Sequence, residues 1–207
     1  MHEAHNPLGI INNYLSILSA KLLDNAALQD DLRIIREEIR RVSQIISELA
    51  SFAAPAAAPK EPVDLNALIS DLVKISQESM WELSKVRIQL ALDPEVPPIR
   101  SEKNKLKQVL INLLKNGAEA MPSGGDLQVE SRLRPGEPVR IEILVRDQGP
   151  GIPEEVRASL FEPFVGTKGR EGLGLAIVYG ILKELGGAID YQTGSGGTTF
   201  RVELPVQ

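Results

Sequence analysis

The sequence predicts an α+β protein, in which an N-terminal helical hairpin is followed by a two-layer α/β sandwich with a mixed sheet. Two patterns lead to this prediction. Between residues 8 and 49, apolar residues recur every three or four positions, which indicates helices. From about residue 63, alternating apolar runs are interleaved with helical patterns, which indicates a sheet covered by helices. We therefore predict a hairpin domain at residues 1–53, a linker of prolines and alanines at 54–62, and a second domain at 63–207.

The first half carries two apolar series with heptad spacing, joined by a short polar turn at Asp24-Asn25. Such series are typical of helices that pack along a seam, and a short turn makes the two helices antiparallel. One hairpin cannot bury both seams, whereas two copies form a four-helix bundle, so we predict a symmetric homodimer. The alternative is a hairpin that packs on the following domain of its own chain. The two series are Leu8, Ile11, Leu15, Leu18 and Leu22, then Leu28, Leu32, Ile35, Ile39, Val42, Ile46 and Leu49.

In the second half, helical and strand patterns alternate. The helical stretches have apolar residues on one face, and the strand stretches have them at every second position. Gly186-Gly187 marks the end of the last helix. The predicted helices are Leu65 to about Lys85, Ser101–Met121 and Leu173–Leu185, and the predicted strands are Val86–Leu92, Leu127–Leu133, Val139–Val145, Ala188–Gln192 and Thr199–Leu204.

Composition excludes several classes of protein. The formal net charge is −5 and the charges are mixed along the chain, so no basic block indicates a nucleic-acid partner. Cysteine is absent, which excludes disulfides and thiolate metal sites and is compatible with a cytoplasmic location. No apolar run is long enough for a membrane span, and no secretory signal opens the chain. We therefore expect a cytoplasmic protein with no membrane segment in this chain.

The helix predicted at 101–121 carries two asparagines on one face. Asn112 and Asn116 are four residues apart, beside the apolar stripe of the helix. Two amides at the edge of a core are costly unless they have polar partners. The neutral oxygen of Asn116 is a suitable ligand for Mg²⁺, whose other ligands would be phosphates and waters.

An aspartate and two glycines follow the strand predicted at 139–145. Asp147 accepts hydrogen bonds and so suits the exocyclic amine of an adenine. Gly149 and Gly151 allow a sharp turn that lies close to a flat ligand. By itself this pattern is also ordinary turn chemistry.

Further segments extend this pattern towards the C-terminus. Glycines before a helix hold phosphate against free N–H groups, and a lysine can neutralise charge in phosphoryl transfer. In chain order, the segments are Phe161-Glu-Pro-Phe164, Thr167-Lys168, Glu171-Gly172-Leu173-Gly174-Leu175 and Gly194-Ser-Gly-Gly-Thr198.

In this order the segments resemble the N, G1, F, G2 and G3 boxes of the ATP-binding domain of histidine kinases, within the gyrase/Hsp90/histidine-kinase/MutL superfamily. The resemblance covers about residues 63–205, and one departure is Arg170, where the second glycine-rich box usually begins with glycine. It implies ATP and Mg²⁺ as cofactors, with Asn116 as the metal ligand. The implied nucleotide-binding residues are Asn112, Asn116, Asp147, Gly149, Gly151, Thr167, Lys168, Gly172, Gly174 and Thr198.

The first eight residues, Met1 to Leu8, resemble the phosphoacceptor box of histidine kinases, His-Glu-x-x-Asn-Pro-Leu. Extending the heptad backwards puts His2, Glu3 and Asn6 on the outer faces of the helix. A nucleophilic histidine needs this exposure, because another domain must reach it. Glu3 would accept the Nδ1 proton of His2 and present Nε2 as the nucleophile, and Asn6 would position a water. We interpret His5 as a solvated bystander.

These features favour a protein-histidine kinase: ATP phosphorylates His2, and an aspartate of a response-regulator receiver domain then accepts the phosphoryl group. The first alternative is an ATP-hydrolysing machine of the gyrase or Hsp90 type. Those relatives carry a glutamate general base at the position of Asn112, where this chain has an amide that cannot accept a proton. The second alternative is a dimerisation and ATP-sensing module without catalytic activity.

Overall fold

The computed structural model describes residues 11, 14–19, 28–35, 38–39, 42, 59–79, 85–163, 165 and 172–206. The chain divides into two compact units, residues 1–55 and 56–207, and the boundary between them falls within the predicted linker. The roles assigned to the two domains remain predictions.

In the first unit, residues 14–19 and 28–35 are helical. The Ser19 hydroxyl donates to Oε1 of Gln29 at 2.8 Å, and the Gln29 amide donates to the Ser19 carbonyl at 2.7 Å, so the two helical segments are joined. Leu15 and Leu32, from the two predicted seams, are buried. Other seam residues are between 39% and 45% exposed in the single chain: Ile11, Leu18, Leu28, Ile35 and Val42. The complete hairpin extends beyond the described residues and remains a prediction.

The second unit contains the α/β domain. Its helices are α1 (Leu65–Ser79), α2 (Lys103–Glu119), α3 (Glu154–Arg157) and α4 (Gly174–Glu184). Its strands are β1 (Glu61–Val63), β2 (Val86–Leu92), β3 (Ile99–Ser101), β4 (Gly125–Arg134), β5 (Arg140–Arg146), β6 (Ala188–Gly194) and β7 (Gly197–Pro205).

A five-stranded sheet forms the centre of this domain, in the order β2-β4-β5-β7-β6. The β2–β4 pair is parallel and the other pairs are antiparallel, so the predicted mixed sheet is confirmed. Its registers place Val129, Val145 and Phe200 side by side, and all three are buried. Helix α2 packs on this apolar layer, where Gly117 lies against the side chain of Leu127. A larger residue at 117 would push the helix off the sheet.

The ends of two helices follow from local chemistry. Helix α4 ends in a Schellman motif: Gly186 has a φ of +72°, its N–H donates to the Lys183 carbonyl, and the Gly187 N–H donates to the Leu182 carbonyl. The predicted stop at these glycines is confirmed. The helix predicted from Leu65 to about Lys85 is described as far as Ser79, and Lys85 itself lies outside it, in a turn with a φ of +54° directly before β2.

Three short elements were not predicted. Strands β1 and β3 pair as an antiparallel ribbon that includes Glu61 and Pro62, both predicted as linker. Three residues are too few for an alternating pattern to be recognised, and proline is tolerated in a strand with a free edge. Helix α3 is a single turn, which is likewise below the length that periodicity detects.

The sheet face opposite the apolar layer carries a buried carboxylate. Glu142 is 1% exposed, and its Oε1 accepts from Nη2 of Arg134 at 2.9 Å and lies 3.2 Å from Nε of Arg201. Two guanidinium groups therefore balance a charge that would be costly if it were left unpaired. Among the described residues, no helix is both long and apolar enough to cross a membrane.

Candidate nucleotide site

Asn112 and Asn116, both predicted as site residues, lie close to the first residue of helix α4. A Cβ atom on Gly174 would stand 3.8 Å from Oδ1 of Asn116 and 3.9 Å from Oδ1 of Asn112. Helix α4 begins after Leu173, and no side chain among the described residues caps its N-terminus. The unpaired N–H groups of a first helical turn attract anions such as phosphate. The fold thus brings two amide oxygens next to a helix end that suits phosphate.

Asn112 also has a buried amide donor next to the start of α4. Its Nδ2 is buried and has no hydrogen-bond partner among the described residues. A buried polar group without a partner costs about 1–3 kcal/mol. The amide is therefore in a position where a ligand acceptor, such as a phosphate oxygen, would stabilise the site.

The chemistry of these donors decides which metal they suit. Among the described residues, no group of three or more His, Cys, Asp or Glu side chains is arranged to hold a metal. Asn116 supplies one neutral oxygen next to the N-terminus of α4. This set fits Mg²⁺ that takes most of its ligands from phosphate and water, and it does not fit a metal held by protein ligands alone.

Asp147 lies at the end of β5, where β7 holds its backbone and its carboxylate. Its N–H donates to the Thr198 carbonyl at 2.9 Å, and its Oδ1 accepts from the Gly149 N–H at 2.8 Å and the Thr198 N–H at 3.2 Å. Both of these bonds end on Oδ1, and no described residue donates to Oδ2, so this oxygen is available to a ligand. Burial raises the pKa of the Asp147 carboxyl above its ordinary value, and the backbone donors oppose this shift.

A pair of threonine hydroxyls continues this network. Thr193 on β6 is the cross-strand partner of Thr198, and their Oγ1 atoms are 3.0 Å apart. The Thr193 Oγ1 also accepts from the Ile152 N–H at 2.8 Å. The hydroxyl of Thr198 therefore bonds within the protein, while its backbone holds Asp147. Contact of Thr198 with an adenine remains a prediction.

The glycines of the predicted adenine loop first serve contacts within the protein. A Cβ on Gly149 would stand 2.9 Å from both the Cβ and the carbonyl oxygen of Ala120, at the end of α2. Gly151 has a φ of +82°, and a side chain there would overlap the Gly194 carbonyl of the β6–β7 turn. These contacts press the loop against the helix on one side and the hairpin on the other.

An aromatic cluster anchors the segment that follows α3. The rings of Phe161 and Tyr179 stack with their centroids 5.5 Å apart, and Tyr191 meets Phe161 at 6.1 Å. Phe161 therefore packs against aromatic side chains of α4 and β6. Gly172 has a φ of +63° and lies against the backbone of Val165.

Five predicted site residues lie outside the described residues: His2, Glu3, Asn6, Thr167 and Lys168. Their roles remain predictions. Asn112, Asn116, Asp147, Gly149, Gly151, Gly172, Gly174 and Thr198 are all described, and they belong to α2, to α4 and the segment before it, to the loop after β5 and to the β6–β7 hairpin.

Sequence reasoning missed residues that shape the loop after β5. Gln148 accepts from the Asp126 N–H through Oε1 at 3.1 Å, and its own N–H points to the Met121 sulfur at 3.3 Å. Thr193, which follows the strand predicted at Ala188–Gln192, was given no role, and the structure places it within β6. Nothing in a single sequence distinguishes these side chains from ordinary surface or strand residues.

The comparisons with known proteins agree with this geometry. A family model described as histidine kinase-, DNA gyrase B-, and HSP90-like ATPase matches residues 101–207. Sporulation kinase E of Bacillus subtilis (strain 168) is 35% identical over 208 residues, which cover 100% of this chain and 28% of the relative.

Two solved structures are similar over nearly the whole chain. Full-length ShkA in complex with AMPPNP has a TM-score of 0.76 and 28% identity, covering 99% of this chain and 44% of that one. Histidine kinase ThkA in complex with response regulator protein TrrA has a TM-score of 0.75 and 28% identity, covering 100% of this chain and 59% of that one. The chain thus spans less than two thirds of the length of each of these proteins.

Proposed function

The chain belongs to the family of histidine kinase-, DNA gyrase B-, and HSP90-like ATPases, and on this premise we propose that it is the core of a protein-histidine kinase. The observation that carries the proposal is that one domain contains two half-sites: Asp147 with the loop after β5, and Asn112 with Asn116 beside the start of α4. Oδ2 of Asp147, which accepts no hydrogen bond from the described residues, suits an adenine amine, and the asparagines beside the start of α4 suit Mg²⁺ and phosphates.

In this proposal ATP binds across the two half-sites. Asp147 accepts a hydrogen bond from the adenine amine, and the loop that contains Gly149 and Gly151 lies close to the adenine. Gly172 and Gly174 give the phosphates access to the N–H groups of α4, and Thr167 and Lys168 contact the phosphates. Asn116 holds Mg²⁺, which when bound neutralises phosphate charge. Asn112 donates Nδ2 to the phosphate side, and Thr198 lies next to the base.

The reaction we propose is phosphoryl transfer to His2. Nε2 of His2 attacks the γ-phosphorus, the N–P bond forms, the bond to the bridging oxygen breaks, and ADP leaves with that electron pair. Glu3 takes the Nδ1 proton, and Asn6 orients water beside the product. The phosphoryl group then passes to a carboxylate oxygen of an aspartate on a response-regulator receiver domain. ThkA, whose solved complex contains the response regulator TrrA, supports this choice of partner.

A homodimer is part of the proposal. Five described seam residues of the helical unit are more than a third exposed in the single chain, and a second copy would cover such an apolar face. Replacing Leu15 and Ile39 by Glu would put charges into the seam and should yield monomers in light scattering. A monomeric unchanged chain at micromolar concentration would contradict the dimer. We also propose a cytoplasmic location, because ATP is available there.

Phosphorylation with γ-labelled ATP tests the central proposal. We expect acid-labile label on the unchanged chain and none on His2→Ala. The matched control is His5→Ala, which removes a neighbouring imidazole and should keep the label. Label that survives His2→Ala would overturn the assignment of His2. Release of phosphate without protein labelling would favour an ATP-hydrolysing machine, and binding with neither reaction would favour an ATP-sensing module.

A further inference from the structure

Ile152, at the end of the loop that begins at Asp147, is held through both of its backbone polar groups. Its N–H donates to Oγ1 of Thr193 at 2.8 Å. Its carbonyl accepts from Nε of Arg157 at 2.9 Å, and the Arg157 carbonyl accepts from the hydroxyl of Tyr191 at 3.0 Å. Thr193 and Tyr191 are two residues apart on β6, so they lie on the same face of the strand.

The beginning of the loop is held by Thr198, the cross-strand partner of Thr193. Thr198 bonds to the backbone of Asp147 and to its Oδ1, and its hydroxyl is 3.0 Å from that of Thr193. The Thr193 hydroxyl thus contacts the residue that fixes the beginning of the loop and the residue that ends it. It is the one described side chain with hydrogen bonds to both Thr198 and Ile152.

We propose that Thr193 is a positioning residue for nucleotide binding, which closes the loop Asp147–Ile152 on the β6–β7 hairpin. This inference rests on the proposed function and assigns a role to a residue outside the motifs that predicted the site. Thr193 acts through Thr198 and Ile152 and does not touch the nucleotide. Without its hydroxyl, the Ile152 N–H loses its acceptor, and the loop must be ordered when the nucleotide binds.

The test compares four variants of the full chain by calorimetry with Mg-ATP. Thr193→Val keeps the shape of the side chain and removes the hydroxyl, and Thr193→Ala removes it in a smaller side chain. We expect both to bind ATP about tenfold more weakly at unchanged stoichiometry. Thr193→Ser restores the hydroxyl and should restore the affinity to within about twofold.

The matched control is Thr199→Val, on the opposite face of β7. It removes a hydroxyl that accepts from Nε of Arg146 at 3.2 Å, and it should leave the affinity for ATP unchanged. A purely structural role for Thr193 would lower the melting temperature or the fraction of active protein and leave the dissociation constant unchanged. Unchanged affinity in Thr193→Val, or an equal loss in Thr199→Val, would overturn the proposal.

Amide hydrogen exchange separates this inference from the proposed function. In the nucleotide-free chain, we expect the Ile152 amide to exchange at least tenfold faster in Thr193→Val than in the unchanged protein or Thr193→Ser. An equal rate in all three would sink the role of Thr193, whatever binds. An unchanged chain that binds no ATP but shows this difference would contradict the proposed function and leave Thr193 as the residue that positions the loop.

Discussion

The two halves of the candidate site are built in opposite ways. On the adenine side, the protein bonds to itself: Oδ1 of Asp147 has two backbone donors, and the hydroxyls of Thr193 and Thr198 are 3.0 Å apart. On the phosphate side, bonds are left for a ligand. Nδ2 of Asn112 is buried without a partner among the described residues, and α4 starts with no side-chain cap.

This difference shows where the order of each half would come from. Selecting one base requires an acceptor at a fixed place, so the geometry around Asp147 is set before the ligand arrives. Phosphates and Mg²⁺ carry strong charges, and Mg²⁺ takes most of its ligands from phosphate and water. The geometry of the phosphate side can therefore be completed when the ligand binds. Changes on the adenine side should therefore alter both stability and affinity, whereas changes on the phosphate side should alter mainly affinity.

The largest effect should come from breaking the preformed half at Gly197. This residue has a φ of +122°, and a side chain there would overlap the carbonyl of Asp147. We expect Gly197→Ala to lower the free energy of unfolding by about 2–4 kcal/mol and to abolish most ATP binding. Urea unfolding and calorimetry measure the two effects. In the matched control, Gly196→Ala, none of the described residues lies within 4 Å of the added Cβ, so stability should hardly change. Equal losses in both variants would contradict the close approach at Gly197.

The second effect concerns the acceptor itself. Asp147→Asn keeps the shape of the side chain, but its amide must turn NH₂ either to the backbone donors or to the adenine amine. We expect the affinity for ATP to fall by about 1–3 kcal/mol. Asp190→Asn, on the opposite face of β6, is the control and should bind as the unchanged chain does. Unchanged affinity in Asp147→Asn would remove Asp147 from the site.

On the phosphate side, the expected effect is smaller and depends on the metal. Asn116→Ala removes one ligand of Mg²⁺, so Mg-ATP should bind about tenfold more weakly, while ADP without metal should bind within about twofold. The control is Asn104→Ala, an exposed residue of the same helix. Melting temperatures should stay close to that of the unchanged chain. Equal losses with and without Mg²⁺ would argue against Asn116 as a metal ligand.

The sequence predicted the elements that long patterns specify. Helices α2 and α4 and the five strands of the main sheet were predicted, because each carries several periods of apolar residues. The β1–β3 ribbon and α3 were missed because three or four residues do not make a pattern. Glu142 illustrates a different limit: its burial depends on Arg134 and Arg201, whose pairing with it is a property of the folded sheet.

The candidate site, too, was only partly predicted from the sequence. Asp147, Asn112 and Asn116 were predicted because motifs mark them and their order resembles a known family. The network that supports them was not, because Thr193 reaches Ile152 across 41 positions of the chain. A threonine in a strand is ordinary β-sheet chemistry, so its hydroxyl has no signature in one sequence. Which groups the loop bonds to is decided by strand pairing, and the sequence does not display that directly.

The smallest effect sharpens the comparison by separating stability from affinity at Asp147. Burial raises the pKa of this carboxyl in the folded chain, so its contribution to stability is complete at acid pH and is lost as the pH rises through the folded pKa. Asp147→Asn cannot ionise and lacks this loss. We therefore expect the stability of the unchanged chain relative to Asp147→Asn, measured by urea unfolding without nucleotide, to decline as the pH rises from the ordinary pKa of an aspartate through the raised pKa of the folded chain. The other acids titrate in both proteins and cancel in the difference.

A difference that stays constant with pH, or that grows in favour of the unchanged chain, would mean that the backbone donors of Gly149 and Thr198 outweigh the cost of burial. If the decline is found together with weaker ATP binding in the variant, the ionised carboxylate of Asp147 lowers the stability of the fold and serves as the acceptor for the nucleotide.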